Sequence, residues 1–300
     1  MDVTSIGDVN LDIVTSSIED FPVRDAQEIV DMHFSSGGCA ANFAKASAGL
    51  GVGTRLIGRL GDDVFGDFVM RDLCMKDLDL RISCGGRTGA TVAVTFRDHT
   101  RSFLTYPGCN SELTLDDIDF SLIQGRYLHV ASFFLQGLRG GTKKILDYAH
   151  GRGMVTCFDT GFDPGGWSGR DLSLVRRMLG GVDFFFPNWV EAKAISGCSV
   201  REDVCEALVG FGPELIALKL GSEGCFIYSG GEGVYVPPFR VGVVDSTGAG
   251  DVFGASFVFG HLRGWGLGKI GRFANAAAAL STRGFGSGCY PGLKEVLSVV

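Results

Sequence analysis

The chain has 300 residues, 45% of them hydrophobic, enough to bury a sizeable core, and its net charge of −7 offers no broad basic field for nucleic acid or an anionic membrane. Nine irregularly spaced cysteines without a C-x-x-C pair argue against a zinc framework or disulfide scaffold and fit reduced thiols. No apolar stretch approaches the roughly 18 residues of a membrane span and the start lacks a signal-like pattern, so a soluble cytoplasmic protein is expected.

In chain order, the first strand is expected to end in Gly7-Asp8-Val9-Asn10-Leu11-Asp12, with Asn10 and Asp12 pointing to one side. An amide beside a carboxylate suits two neighbouring hydroxyls, although Asn-x-Asp after a strand also reads as a turn. Residues 12–34 contain a proline, an acidic turn and a short alternation over 29–34. Gly37-Gly38 then opens a helix of small residues whose first turn holds Asn42, an amide able to meet a polyhydroxyl ligand or simply to satisfy backbone groups.

Runs at 54–60, 127–131, 154–158, 182–186 and 215–220 read as strands. Between them lie amphipathic helices, such as those carrying Phe65, Phe68, Val69 and Leu73 or Ile145, Tyr148 and Ala149. This alternation predicts an α/β fold, a doubly wound and mostly parallel sheet flanked by helices, within a single domain spanning 1–300. The 12–34 segment and a hairpin of 91–96 with 102–106, turning about 97–101, lack crossover helices. They are expected to form a small β-sheet lid from 12–34 and 88–107, whose exposed edges favour pairing into a homodimer.

Asn188-Trp189-Val190-Glu191 has the spacing of a capping box. Lys219-Leu220-Gly221-Ser222-Glu223-Gly224 leads into a strand over 225–229. Further on, the alternating Phe239, Val241 and Val243 predict a strand that turns through Thr247-Gly248-Ala249-Gly250-Asp251 into a small-residue helix over 252–260. Glycines let backbone N–H groups approach an anion, and the helix start adds orphan donors and a positive dipole end. Asp251 beside such a site reads either as an ordinary cap or as a group that handles a proton.

Taken together, Gly-Gly-x-x-x-Asn at 37–42, Asp-Ser-Thr-Gly-Ala-Gly-Asp at 245–251 and Gly-Asp-Val-Asn-Leu-Asp at 7–12 resemble the ribokinase-like (PfkB) family of carbohydrate kinases, from residue 3 to about 290. The resemblance implies transfer of the terminal phosphoryl group of ATP, or ADP, to a hydroxymethyl group of a small sugar or polyol. A nucleoside kinase and a catalytically silent nucleotide-binding regulator are the alternatives. Carried over, Asp251 matches the catalytic base and Gly248, Ala249 and Gly250 the anion hole. Asn10, Asp12, Gly38 and Asn42 match substrate positions. Asn188, Lys219, Gly221, Gly224 and Asn275 match nucleotide positions, and Glu191 a water-mediated link to Mg²⁺. Asp245 and Thr247 match positions that help bind a monovalent cation such as K⁺.

This chain departs from that pattern in places. Where ribose-specific members hold the sugar with a carboxylate, Ser132-Phe133-Phe134 follows the strand, which speaks against pentoses and leaves a Phe face for a sugar or base. Cys39 and Cys289 stand where a lysine and a serine ligand are expected. Arg97 and Arg101 in the hairpin read as solvated or as partners of an acidic acceptor.

Overall fold

The computed structural model describes residues 1–98 and 100–300. His99, in the expected hairpin turn, lies outside the described residues.

Seven parallel strands form the body of the main sheet, in the order β11 (Leu215–Lys219), β10 (Phe184–Phe185), β9 (Val155–Phe158), β8 (Tyr127–Val130), β1 (Val3–Ile6), β4 (Thr54–Leu60) and β5 (Leu78–Cys84). Two antiparallel strands, β12 (Cys225–Ser229) and β13 (Glu232–Val236), extend it beyond β11. Strands such as Val3–Ile6 and Tyr127–Val130 are buried along their whole length because helices cover both faces. One face packs against α3 (Thr142–His150), α4 (Gly169–Leu179), α5 (Trp189–Ser196) and α6 (Arg201–Val209), around Phe158, Phe185 and Ile216. The other packs against α1 (Cys39–Gly49), α7 (Ala249–Leu262), α8 (Leu267–Ser281) and α9 (Leu293–Leu297), around Phe43, Phe186 and Phe257. A third cluster joins α1 and β4 to α2 (Val64–Asp72).

The expected lid is a separate four-stranded sheet, β3 (Met32–Gly37), β2 (Asn10–Thr15), β6 (Gly89–Thr95) and β7 (Arg101–Tyr106). Its base is pinned by the buried Lys45 ammonium of α1, which donates to Asp72 at 2.7 Å, to Ser287 at 3.0 Å and to lid Ser36 at 3.2 Å.

Two expectations are corrected. Asn10 and Asp12 do not end the first strand: the chain leaves the main sheet after Ile6, and both residues lie on lid strand β2, paired opposite Gly37 and Ser35. The lid therefore starts at Asn10, and its returning strand runs to Gly37 rather than ending at 34. The alternating run at 239–243 forms no strand, because Pro237 and Pro238 follow β13 and remove two successive ladder donors.

Candidate active site

In a parallel sheet all carboxyl ends open on one side, and a binding site forms there. Asp8 follows β1, Asp159 follows β9, Asn188 lies just beyond β10, and Lys219 ends β11. The N-termini of α1 and α7 close the same space, packed side by side. Asn42 on α1 donates from Nδ2 to Asp251 Oδ2 at 3.0 Å, joining groups 209 residues apart.

Asp251 sits in the first turn of α7. The preceding Gly248 adopts the left-handed conformation, with φ of 76°, and a Cβ there would stand 1.9 Å from the Tyr290 hydroxyl. Neither Gly248 N–H nor Gly250 N–H has an acceptor among the described residues, which leaves two main-chain donors free at a helix N-terminus. Lys219 approaches from β11: its Nζ lies 2.6 Å from Asp159 Oδ2 and would be 3.3 Å from a Cβ at position 250.

The charges here are coupled. Burial raises the Asp251 carboxyl well above the usual range, Asp159 raises it further, and Lys219 and the Asn42 amide act against them. Burial opposes the Lys219 charge, but Asp159, Glu191 and Asp251 outweigh it and hold the ammonium above its ordinary range. Glu191 is pushed up to about 8 by burial and then by Asp159. It also completes a reciprocal cap, since Asn188 N donates to Glu191 Oε2 at 2.9 Å and Glu191 N to Asn188 Oδ1 at 3.0 Å. The capping box is thus present, and its acid faces the lysine cluster.

On the lid side, Gly37 leaves room for the Asp12 carboxylate: a Cβ at 37 would meet its Cγ at 2.0 Å. Asp12 is buried and has no hydrogen-bond partner among the described residues. Burial, Asp8 and Asp245 raise it to about 7. Asn10 donates to Asp8 at 3.3 Å and accepts from Asn110 at 2.6 Å. Gly38, with φ of 91°, closes on the Asp8 carbonyl as α1 begins.

Asn275 Nδ2 donates to the carbonyls of Val236 and Pro237, tying α8 to the end of β13. Gly224 packs tightly against the same segment, whereas Gly221 faces open space. A cavity of about 450 Å³ lined by Trp189, Arg201, Leu220, Ser222 and Glu223 flanks that loop. Phe133 and Phe134 are buried beside Phe158 and Trp167 and present no open face to a sugar or base. Arg97 pairs with exposed Glu19, and Arg101 reaches Thr247 and Asp245.

Sequence reasoning missed Asp159, Asp8 as a site group, Asn110 and Tyr290. Asp159 carries a usable signal, an acid directly after a parallel strand. Asn110 carries none, because its partner lies 100 residues away.

The pfkB family carbohydrate kinase model matches residues 1–291. The chain belongs to this family. It is 33% identical to an uncharacterized sugar kinase of Archaeoglobus fulgidus over 79% of this chain and 94% of the relative. It is also 33% identical to an ATP-dependent ribose-1-phosphate kinase of Halopiger xanaduensis, over 93% of this chain and 91% of the relative. Its fold matches a putative ribokinase II from E. coli in complex with ATP and Mg²⁺, with a TM-score of 0.89, 24% identity and coverage of 99% and 98%. The pfkB chain is accordingly a carbohydrate kinase. Among the described residues no helix is long and apolar enough to cross a membrane.

Proposed function

We propose that this pfkB kinase transfers the terminal phosphoryl group of ATP to a hydroxymethyl group of a small, uncharged sugar or polyol, with Asp251 as the base. The observation that carries this reading is the Asn42–Asp251 hydrogen bond beside the two unfilled N–H groups of the α7 start. A phosphoryl group against Gly248, Ala249 and Gly250 would have its oxygens on main-chain donors. The acceptor hydroxyl would lie between it and Asp251.

Phosphoryl transfer requires positioning and charge neutralisation more than strong base catalysis. Asp251 orients the hydroxyl and takes its proton as the new P–O bond forms. Lys219, held by Asp159, brings positive charge to the same side, and Gly221 opens the loop to the nucleotide phosphates. Gly224 and Asn275 act by shaping the walls around the nucleotide. No described group of three or more acidic, His or Cys side chains could cage a metal. The donor set nevertheless fits Mg²⁺ arriving on nucleotide oxygens and held through water by Glu191, because Mg²⁺ commonly keeps several waters. When bound, the ion neutralises phosphate charge.

Acceptor hydroxyls would donate to the unpartnered Asp12 and meet Asn10 and Asn42, with Gly38 keeping the α1 start close. Carboxylates on this wall disfavour a phosphorylated or acidic acceptor. The buried Phe133 and Phe134 remove a stacking platform for a nucleoside base. The whole chain would act as one catalytic unit with its lid. The outer lid face exposes Met32, Phe34, Leu104 and Tyr106, a surface suited to a second copy of the chain. Nine free cysteines accord with a reducing cytoplasm.

A coupled assay of nucleotide consumption over hexoses, pentoses, polyols, nucleosides and sugar acids tests the acceptor class, with ATP and ADP in parallel. Turnover with a neutral polyol or hexose is expected. Asp251→Asn should lower that turnover at least ~10²-fold while nucleotide binding persists. Near-normal turnover of the folded variant, or activity confined to acidic acceptors, would reject the assignment.

A further inference from the structure

Three segments remote in sequence converge on one buried carboxylate, Asp245. Its Oδ1 accepts from Thr247 N at 2.9 Å and from Thr247 Oγ1 at 2.7 Å, and its Oδ2 accepts from Gly286 N at 2.9 Å. From lid strand β7, Arg101 Nη1 lies 3.7 Å from Asp245 Oδ1 and donates to Thr247 Oγ1 at 3.0 Å. The Asp245 side chain has no exposed surface, and that of Arg101 is only 22% exposed. The turn they hold runs directly into Gly248 and the free N–H groups of the anion cradle.

A monovalent cation does not fit Asp245 and Thr247 as this chain arranges them. The place a cation would take beside Asp245 Oδ1 and Thr247 Oγ1 is reached by the Arg101 guanidinium, which already supplies the positive charge there. Cys289, where a serine ligand is expected, instead turns its thiol toward the Phe285 carbonyl at 3.8 Å.

We infer that Arg101 is the resident cation of the cradle: it fastens lid strand β7 to the turn before α7, positions the Gly248 and Gly250 N–H groups, and takes the place of an external monovalent ion. Arg101 is a positioning residue acting through Asp245 and Thr247. Its Nη1 alone reaches the hydroxyl at 3.0 Å and comes within 3.7 Å of the carboxylate, and a guanidinium keeps its charge at working pH. A lid that lifts breaks this contact, so the turn is held in its final shape only while the lid covers the acceptor.

The inference rests on the proposed cradle, but its test needs no turnover. Melting of the full-length protein without ligands is compared in KCl and in tetramethylammonium chloride at equal ionic strength, because an ion that binds only the folded state raises Tm. Wild type should melt within ~1 °C in the two salts, since it has no site to fill. Arg101→Met, which keeps the hydrogen bonds of Asp245 but leaves its charge without a cation, should melt lower and regain several degrees in KCl selectively. Arg101→Lys should behave nearly as wild type, keeping a cation in place. With an acceptor in hand, Arg101→Met should lose at least ~10-fold in kcat with nucleotide Kd unchanged, partly restored by millimolar guanidinium.

Selective stabilisation of wild type by K⁺ overturns the inference, as does a folded Arg101→Met protein indifferent to both K⁺ and guanidinium. If Arg101→Met does not fold, Arg101→Lys decides. A K⁺-dependent Tm in that variant counts against the resident-cation role, and K⁺ independence supports it. Absence of any acceptor activity would reject the proposed function while leaving the melting result standing.

Discussion

The floor of the site and its lid wall handle charge in opposite ways. On the floor, Lys219 sits among Asp159, Glu191 and Asp251, and Asp251 also holds the Asn42 amide. On the wall, Asp12 is buried with no partner among the described residues. A group whose hydrogen bonds are filled by the protein is fixed in place, whereas a carboxylate that no protein group donates to can take its donors from a ligand. The floor is thus built for geometry and the wall for recognition.

Removing the lysine is the most severe way to break that contrast. Lys219→Met leaves three acids facing one another, and unpairing a buried ion pair typically costs about 3–5 kcal/mol. We expect a large fall in denaturant midpoint, with turnover lost. Adding Asp159→Asn should recover much of the stability and little of the turnover. A Lys219→Met protein as stable as wild type would show that the floor is not electrostatically built at all.

Asp12 should respond in the opposite sense. Its folded pKa of about 7 exceeds the ordinary aspartate value, so folding favours the protonated form. That contribution is complete below about pH 4 and is lost as pH rises through about 7. Asp12→Asn should therefore melt higher than wild type at pH 8 and nearly alike at pH 4, while the acceptor KM rises ~10-fold or more. Equal melting at both pH values would mean that the wall carries no stored cost.

What could be read from the sequence follows the range of the interactions. The inner parallel strands were legible because burial on both faces gives apolar runs, and the lid hairpin because its alternation is local, whereas edge strand β5, with no fully buried residue, was not. The two site motifs at 37–42 and 245–251 were legible as motifs, and the Asn42–Asp251 bond is where they meet. Residues 239–243 misled because alternation signals a strand only if the backbone has a ladder to join, and the two prolines end it. Asn10 and Asp12 were read on the right side of the wrong strand, since nothing local shows that Gly7 and Asp8 carry the chain out of the main sheet. Asn110 and the Arg101–Asp245 contact were illegible as contacts because they join segments 100 or more residues apart by side chains that look ordinary alone.

The two lid arginines sharpen the same contrast at its small end. Arg97 and Arg101 flank one hairpin and look interchangeable in sequence, yet Arg97 meets Glu19 at 2.7 Å with side chains 69% and 80% exposed, whereas the Asp245 side chain is fully buried. An exposed pair has water as a competing partner for both charges and orders two long side chains, so it is worth about 0–1 kcal/mol and weakens with salt. Arg97→Ala should therefore leave turnover and the KCl response unchanged and shift Tm by no more than ~2 °C. If Arg97→Ala instead reproduced the K⁺-dependent melting expected of Arg101→Met, the effect would belong to the hairpin as a whole and not to the guanidinium that reaches the cradle.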